Sequence, residues 1–184
     1  MLNTISGLLG EGAPAGGDYE SIATTTVGSG GTSTVTFSSI PSTYTHLQIR
    51  MLARTSRSSL VDTIRITYNS DTTVSNYTYH ELVGDGSSVA AYGAGSDYNQ
   101  LQGATGASAS SNVFGVGVTD ILDYANTNKY KTLRNLGGLD NNGSGRVAFV
   151  SGLWINTSAI SSITLTATSG TIQQYSSFAL YGIK

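Results

Sequence analysis

From Tyr19 onward the chain runs in short stretches rich in Thr, Val, Ile and Tyr, each bounded by Gly, Ser or Asn, and this punctuation constrains the fold more than any other feature. Such stretches are strand signals and their boundaries are turn signals. Helical periodicity is nearly absent. Candidate strands span 19–27, 33–38, 46–53, 60–69, 77–83, 113–122, 129–136, 146–154, 162–167 and 176–183. In the third, Leu47, Ile49 and Met51 fall on one face and His46, Gln48 and Arg50 on the other, as a period of two requires. The same alternation groups Ile64, Ile66 and Tyr68 against Arg65 and Thr67, and Ile163, Leu165 and Ala167 against Thr164 and Thr166; Phe178 and Leu180 close the series.

Strands that are apolar on one side must cover one another. About ten of them at short, even spacing predict an all-β, antiparallel two-sheet β-sandwich, jelly-roll-like, with Leu47, Ile49, Met51, Ile64, Ile66, Ile163, Leu165, Phe178 and Leu180 in its core. A length of 184 residues suits one such domain, over 19–184. Residues 1–18 read as an extended N-terminal arm. There Leu2, Ile5, Leu8 and Leu9 form an apolar cluster, followed by a tether of Gly10, Gly12, Pro14, Gly16 and Gly17 that regular structure does not tolerate. The stretch 84–112, dominated by Ala, Gly, Ser and Asn, reads as a long, partner-facing loop.

Charged residues make up only 11% of the chain, against the ~25% of an ordinary domain, and Ser, Thr, Gly and Asn take their place. A surface with so little charge tends to self-associate, which suits a part of an assembly. Nine basic and eleven acidic residues are scattered singly, so no basic stripe is available for nucleic acid. No window approaches the ~18 apolar residues of a membrane span, and the first residues lack the pattern of a signal peptide, so a cytoplasmic origin is expected. With no cysteine there are no disulfides and no thiolate metal sites.

Motifs that carry chemistry are weak. His46 and His80 have no acidic neighbour at metal spacing. Asp120 and Asp123 flank a strand end, and the segment 140–145 (DNNGSG) is oxygen-rich but lacks the closing Glu of a calcium loop; it fits better as a hairpin turn. The eleven tyrosines could form a sugar-binding face, although Tyr is also a good strand residue, and Trp154 is expected in the core or at a subunit interface. Sequons at Asn76, Asn142 and Asn156 are unsurprising in a chain this rich in Ser and Thr. No cofactor, metal ligand set or catalytic residue is expected.

Three stretches carry a resemblance: 19–54 (YESIATTTVGSGGTSTVTFSSIPSTYTHLQIRMLAR), 120–143 (DILDYANTNKYKTLRNLGGLDNNG) and 174–183 (QYSSFALYGI). Together they resemble small virion structural proteins of tailed bacteriophages, marine and cyanobacterial ones above all. The resemblance implies a head-decorating (cement) protein, located in the virion after assembly in the host cytoplasm. Its partners would be the major capsid protein or other virion proteins, and a homotrimer would be favoured. Leu2, Ile5, Leu8 and Leu9 would then be the capsid-docking residues. The alternatives are a tail-associated or fibre-tip module that recognises a host through the 84–112 loop and the tyrosines, and a polysaccharide-degrading enzyme, which would need two carboxylates across a cleft. A secreted β-domain without viral connection is a further, blander reading.

Overall fold

The computed structural model describes residues 17–184; the arm residues Leu2, Ile5, Leu8 and Leu9 lie outside the described part of the chain. Twelve strands follow in order: β1 (Tyr19–Thr26), β2 (Thr34–Phe37), β3 (His46–Ala53), β4 (Val61–Tyr68), β5 (Tyr77–Gly84), β6 (Val89–Ala94), β7 (Asn99–Thr105), β8 (Gly115–Leu122), β9 (Lys131–Asp140), β10 (Gly145–Trp154), β11 (Ile163–Ala167) and β12 (Ser177–Ile183). A three-residue 3₁₀ turn (Val74–Asn76) is the only helical element among the described residues.

The strands form two antiparallel sheets, one of eight strands ordered β1-β12-β3-β8-β9-β10-β5-β6 and one of four ordered β2-β11-β4-β7. Their inner faces meet in one core. From the large sheet come Leu47, Ile49, Met51, Ile121, Leu133, Phe178 and Leu180; from the small one come Val35, Phe37, Ile64, Ile66, Leu101, Ile163 and Leu165. All nine residues expected in the core are buried. The hairpin from β9 to β10 turns through Asn142 and Gly143, both at positive φ (56° and 99°), as the Asn-Gly pair predicts.

The stretch 84–112 is not a long loop: it holds the whole of β6 and β7. Its composition misleads because β7 is buried along nearly its whole length and uses small residues to approach the large sheet. Gly103 is the extra residue of a bulge between Gln102 and Ala104, at φ 109°, and a Cβ there would stand 2.6 Å from the Gly138 nitrogen. The opposing strands answer with glycines at 115 and 137, where side chains would collide with the β7 backbone, and at 117, where a Cβ would stand 3.1 Å from the Gln102 carbonyl oxygen. Asn135 fastens the contact: its Oδ1 accepts a hydrogen bond from the Gln102 amide at 2.8 Å, and its Nδ2 donates to the Thr119 hydroxyl at 3.0 Å.

The irregular remainder, from Gly106 to Phe114, is tied down above all by one side chain, with Thr105 and Asn141 adding one bond each. The Arg54 guanidinium donates to the carbonyls of Ser110 (2.8 Å), Val113 (2.9 Å) and Ala109 (2.9 Å). Replacing Arg54 with Ala is expected to accelerate amide hydrogen exchange at least about tenfold over 106–113 while the strands keep their protection, because those carbonyls lose their shared donor. Unchanged exchange in that segment would mean that the hydrogen bonds do not hold it.

One end of the sandwich is closed by Tyr68, Tyr77, Tyr98 and Trp154, whose rings pack at centroid distances of 5.3–6.5 Å. Trp154 is thus core. Its indole N–H donates to the Asp71 carboxylate at 2.8 Å, and the Asn76 amide donates to the same oxygen. Burial alone would raise the Asp71 carboxyl, but the donors from Trp154, Asn76 and Thr73 outweigh it and hold the group below the usual range. With the folded value below the unfolded one near ~3.9, its contribution is complete above that value and is lost as pH falls through the folded value. Melting temperature should therefore fall with acid below about pH 4, and less steeply in Asp71→Asn; parallel pH profiles would remove Asp71 from the account.

Candidate functional site

The outer face of the eight-stranded sheet should be polar if it only meets water. Across its middle it is not. Cross-strand register aligns Val118, Leu136, Phe149 and Leu82 in one row over β8, β9, β10 and β5. The neighbouring row aligns Leu52, Val116, Gly138 and Val147 over β3, β8, β9 and β10, and Val89 on β6 extends it. Leu136 is 58% exposed, Val147 60%, Phe149 48% and Val89 76%, and the others of the two rows are also open to solvent. Over the glycines of β9 the surface dips into a shallow, mostly apolar depression of about 500 Å³, lined by Val116, Val118, Leu136 and Val147 with Arg50 at its rim. Single exposed apolar residues are normal; a contiguous stripe of eight marks a contact surface.

The stripe arises from two strand patterns. In β8 the Gly-Val-Gly-Val sequence turns glycine inward, where β7 passes, and valine outward. In β10 Ala148 and Val150 point into the core while Val147 and Phe149 point out, so both faces of the strand are apolar. The free edge of the sheet, β6, continues the theme with no charged residue.

A polar row borders the stripe on one side. Gln48 Nε2 donates to Asp120 at 2.9 Å, and Arg134 pairs with the other oxygen of Asp120 at 3.0 Å. Arg50 lies over the Tyr181 ring, 4.7 Å from its centroid. Asp120 and Arg134 neutralise each other, while Arg50, cross-strand from Val118, caps one end of the stripe's row at the rim of the depression.

The residues singled out for chemistry are dispersed. His46 and His80 sit on β3 and β5, four strand spacings apart, or ~19 Å. The His46 Nδ1 accepts the Asp123 backbone N–H at 3.0 Å, while the Asp123 carboxylate is held low by its hydrogen bond and charge pairing with Lys129. In the 140–145 turn, Asp140 accepts the Asn142 amide and Asn141 accepts the Ser110 amide, so these oxygens brace loops and do not converge. Glu81 pairs with Arg146 and Asp62 with Arg57. Among the described residues no three His, Asp or Glu side chains come together in a metal-binding group. Of the sequons, Asn76 spends its side chain on Asp71. No helix among the described residues is long and apolar enough to cross a membrane.

Sequence reasoning missed the stripe because it reads each strand for one apolar face and assigns that face to the core. The signal was present in the unbroken apolar run Val147–Val150, which leaves one face of β10 without a partner inside the domain. Comparison of the chain with protein-family models, with curated proteins and with solved structures finds no match.

Proposed function

We propose that this protein is a structural, non-enzymatic building part of a virus particle, a decorating or cement subunit on the head of a tailed bacteriophage. The observation that carries this reading is the uncharged apolar stripe on the outer face of the large sheet, a surface suited to burial against protein. The sandwich itself supports it. Without the hairpin additions β5-β6 and β9-β10, the two sheets reduce to β1-β12-β3-β8 against β2-β11-β4-β7, an order that supports the jelly-roll-like reading, and jelly rolls are common in capsid proteins and lectins. The additions widen only the sheet that carries the stripe. In this reading Leu2, Ile5, Leu8 and Leu9 dock on the major capsid protein, and many weakly held copies acting together make the attachment firm.

Immunogold labelling of particles of the phage that encodes the chain tests the reading. Label over heads is the expected result. Label confined to tails would replace it with a host-contact role, and particles without label would remove the virion from the account.

A further inference from the structure

We infer that the apolar stripe is covered by the same stripe of a second copy of this chain. The inference rests on the structural role proposed above and names the partner of that face.

The first reason is area. The exposed parts of Leu52, Leu82, Val116, Val118, Leu136 and Phe149, with their two valine neighbours, amount to on the order of 700 Å², close to the ~800 Å² that each partner gives to a stable interface. The second is charge. The eight side chains of the stripe carry no ionic group, and of the charges beside it Asp120 and Arg134 neutralise each other. Arg50, cross-strand from Val118 at the rim of the depression, is exposed, stacked on Tyr181 and bonded to Gln48, so two stripes meet with this one cation left at the wet border. A partner with a strongly charged surface would gain nothing there. The third is shape. An eight-stranded antiparallel sheet twists with a fixed hand, and its flat-packing partner is another sheet of the same twist; an identical sheet supplies it at ~10 Å separation. The depression over β9 then seats an apolar side chain of the facing copy, and in a two-fold contact every such seat is filled twice. A contact of this kind closes with two copies, unlike the threefold ring that the resemblance implies.

The absence of native cysteine makes the test clean. In the full chain, Leu136→Cys places a thiol in the stripe, and Thr36→Cys places one on the exposed face of the small sheet as a control. Under mild oxidation Leu136→Cys should give a covalent pair of twice the 19.1 kDa chain, and Thr36→Cys should not. Sedimentation of the wild type should show the same pair, weakened about 100-fold or more by Leu136→Asp with an unchanged circular dichroism spectrum. A monomeric wild type whose Leu136→Cys form links no better than the control overturns the inference. So does a Leu8→Cys/Leu136→Cys chain that closes a disulfide within itself, which would seat residues 1–16 on the face. If such a monomer still labels phage heads, self-pairing fails and the decorating role stands; a pair that labels no particle has the opposite meaning.

Discussion

Gly137→Val is expected to yield a protein that does not fold, or folds with a loss of about 3 kcal/mol or more, a large fraction of the ~5–15 kcal/mol that holds a domain together. A Cβ at Gly137 would collide with the carbonyl oxygen of Gln102, and next to it stand the Gly103 backbone and the bulge. Backbone cannot step aside as a side chain tip can. The strand β7 would have to lift from the large sheet, breaking the hydrogen bond from the Gln102 amide to Asn135 and exposing Leu101 and Ala104. Urea unfolding of the purified variant gives the number; a midpoint equal to that of the wild type would show that the two sheets do not approach as described. Gly143→Val, at the open hairpin tip where nothing lies within 4 Å of an added Cβ, separates close approach from strain, since it meets only the positive-φ penalty. It should cost about 1–2 kcal/mol.

Ile49→Asp should be at least as damaging. Ile49 is completely buried on β3, between Leu180 on β12 and Thr119 on β8, with the small sheet above it. Buried Lys131 spends its ammonium on the carbonyls of Asn126, Lys129 and Thr157, so the carboxylate must either stay charged without a partner or take up a proton; either way several kcal/mol are lost, about 3–5 by comparison with other unpaired buried charges. Arg50→Asp, one residue along, points to the outer face and removes a stacked cation and its hydrogen bond to Gln48 at the exposed surface, so it should cost about 1 kcal/mol. Equal effects at the two positions would mean that the inner and outer faces of β3 were assigned wrongly.

Much of the sandwich was legible in the sequence because strand faces obey a simple period. Leu47, Ile49 and Met51 were assigned to the core from alternation alone, and the Asn142–Gly143 turn from residue chemistry alone. What stayed hidden depends on contacts between distant segments. β7 looks like a loop because Gln, Gly and Ala are poor strand formers in isolation; it becomes a strand by pairing with β4 and by lying against glycines contributed by β8 and β9. The stripe stayed hidden for the same reason. Val116, Val118, Val147 and Phe149 look like core residues until the glycines on the inner side show which way each strand faces. Asp71 under Trp154 and Arg54 over the 106–114 segment join partners far apart in sequence, with no motif to announce them.

The most direct test of the outward apolar face as the working surface is side-chain footprinting by carbene or hydroxyl-radical labelling, read by mass spectrometry. Isolated protein, diluted until sedimentation shows single chains, would be compared with the protein in assembled particles. Leu82, Leu136 and Phe149 should be labelled strongly in the first and protected at least about tenfold in the second, while Tyr175, exposed outside the stripe, serves as an internal reference. Equal labelling of Leu136 and Phe149 in both states would contradict the account, because the face would then meet water in the particle as it does in the free chain.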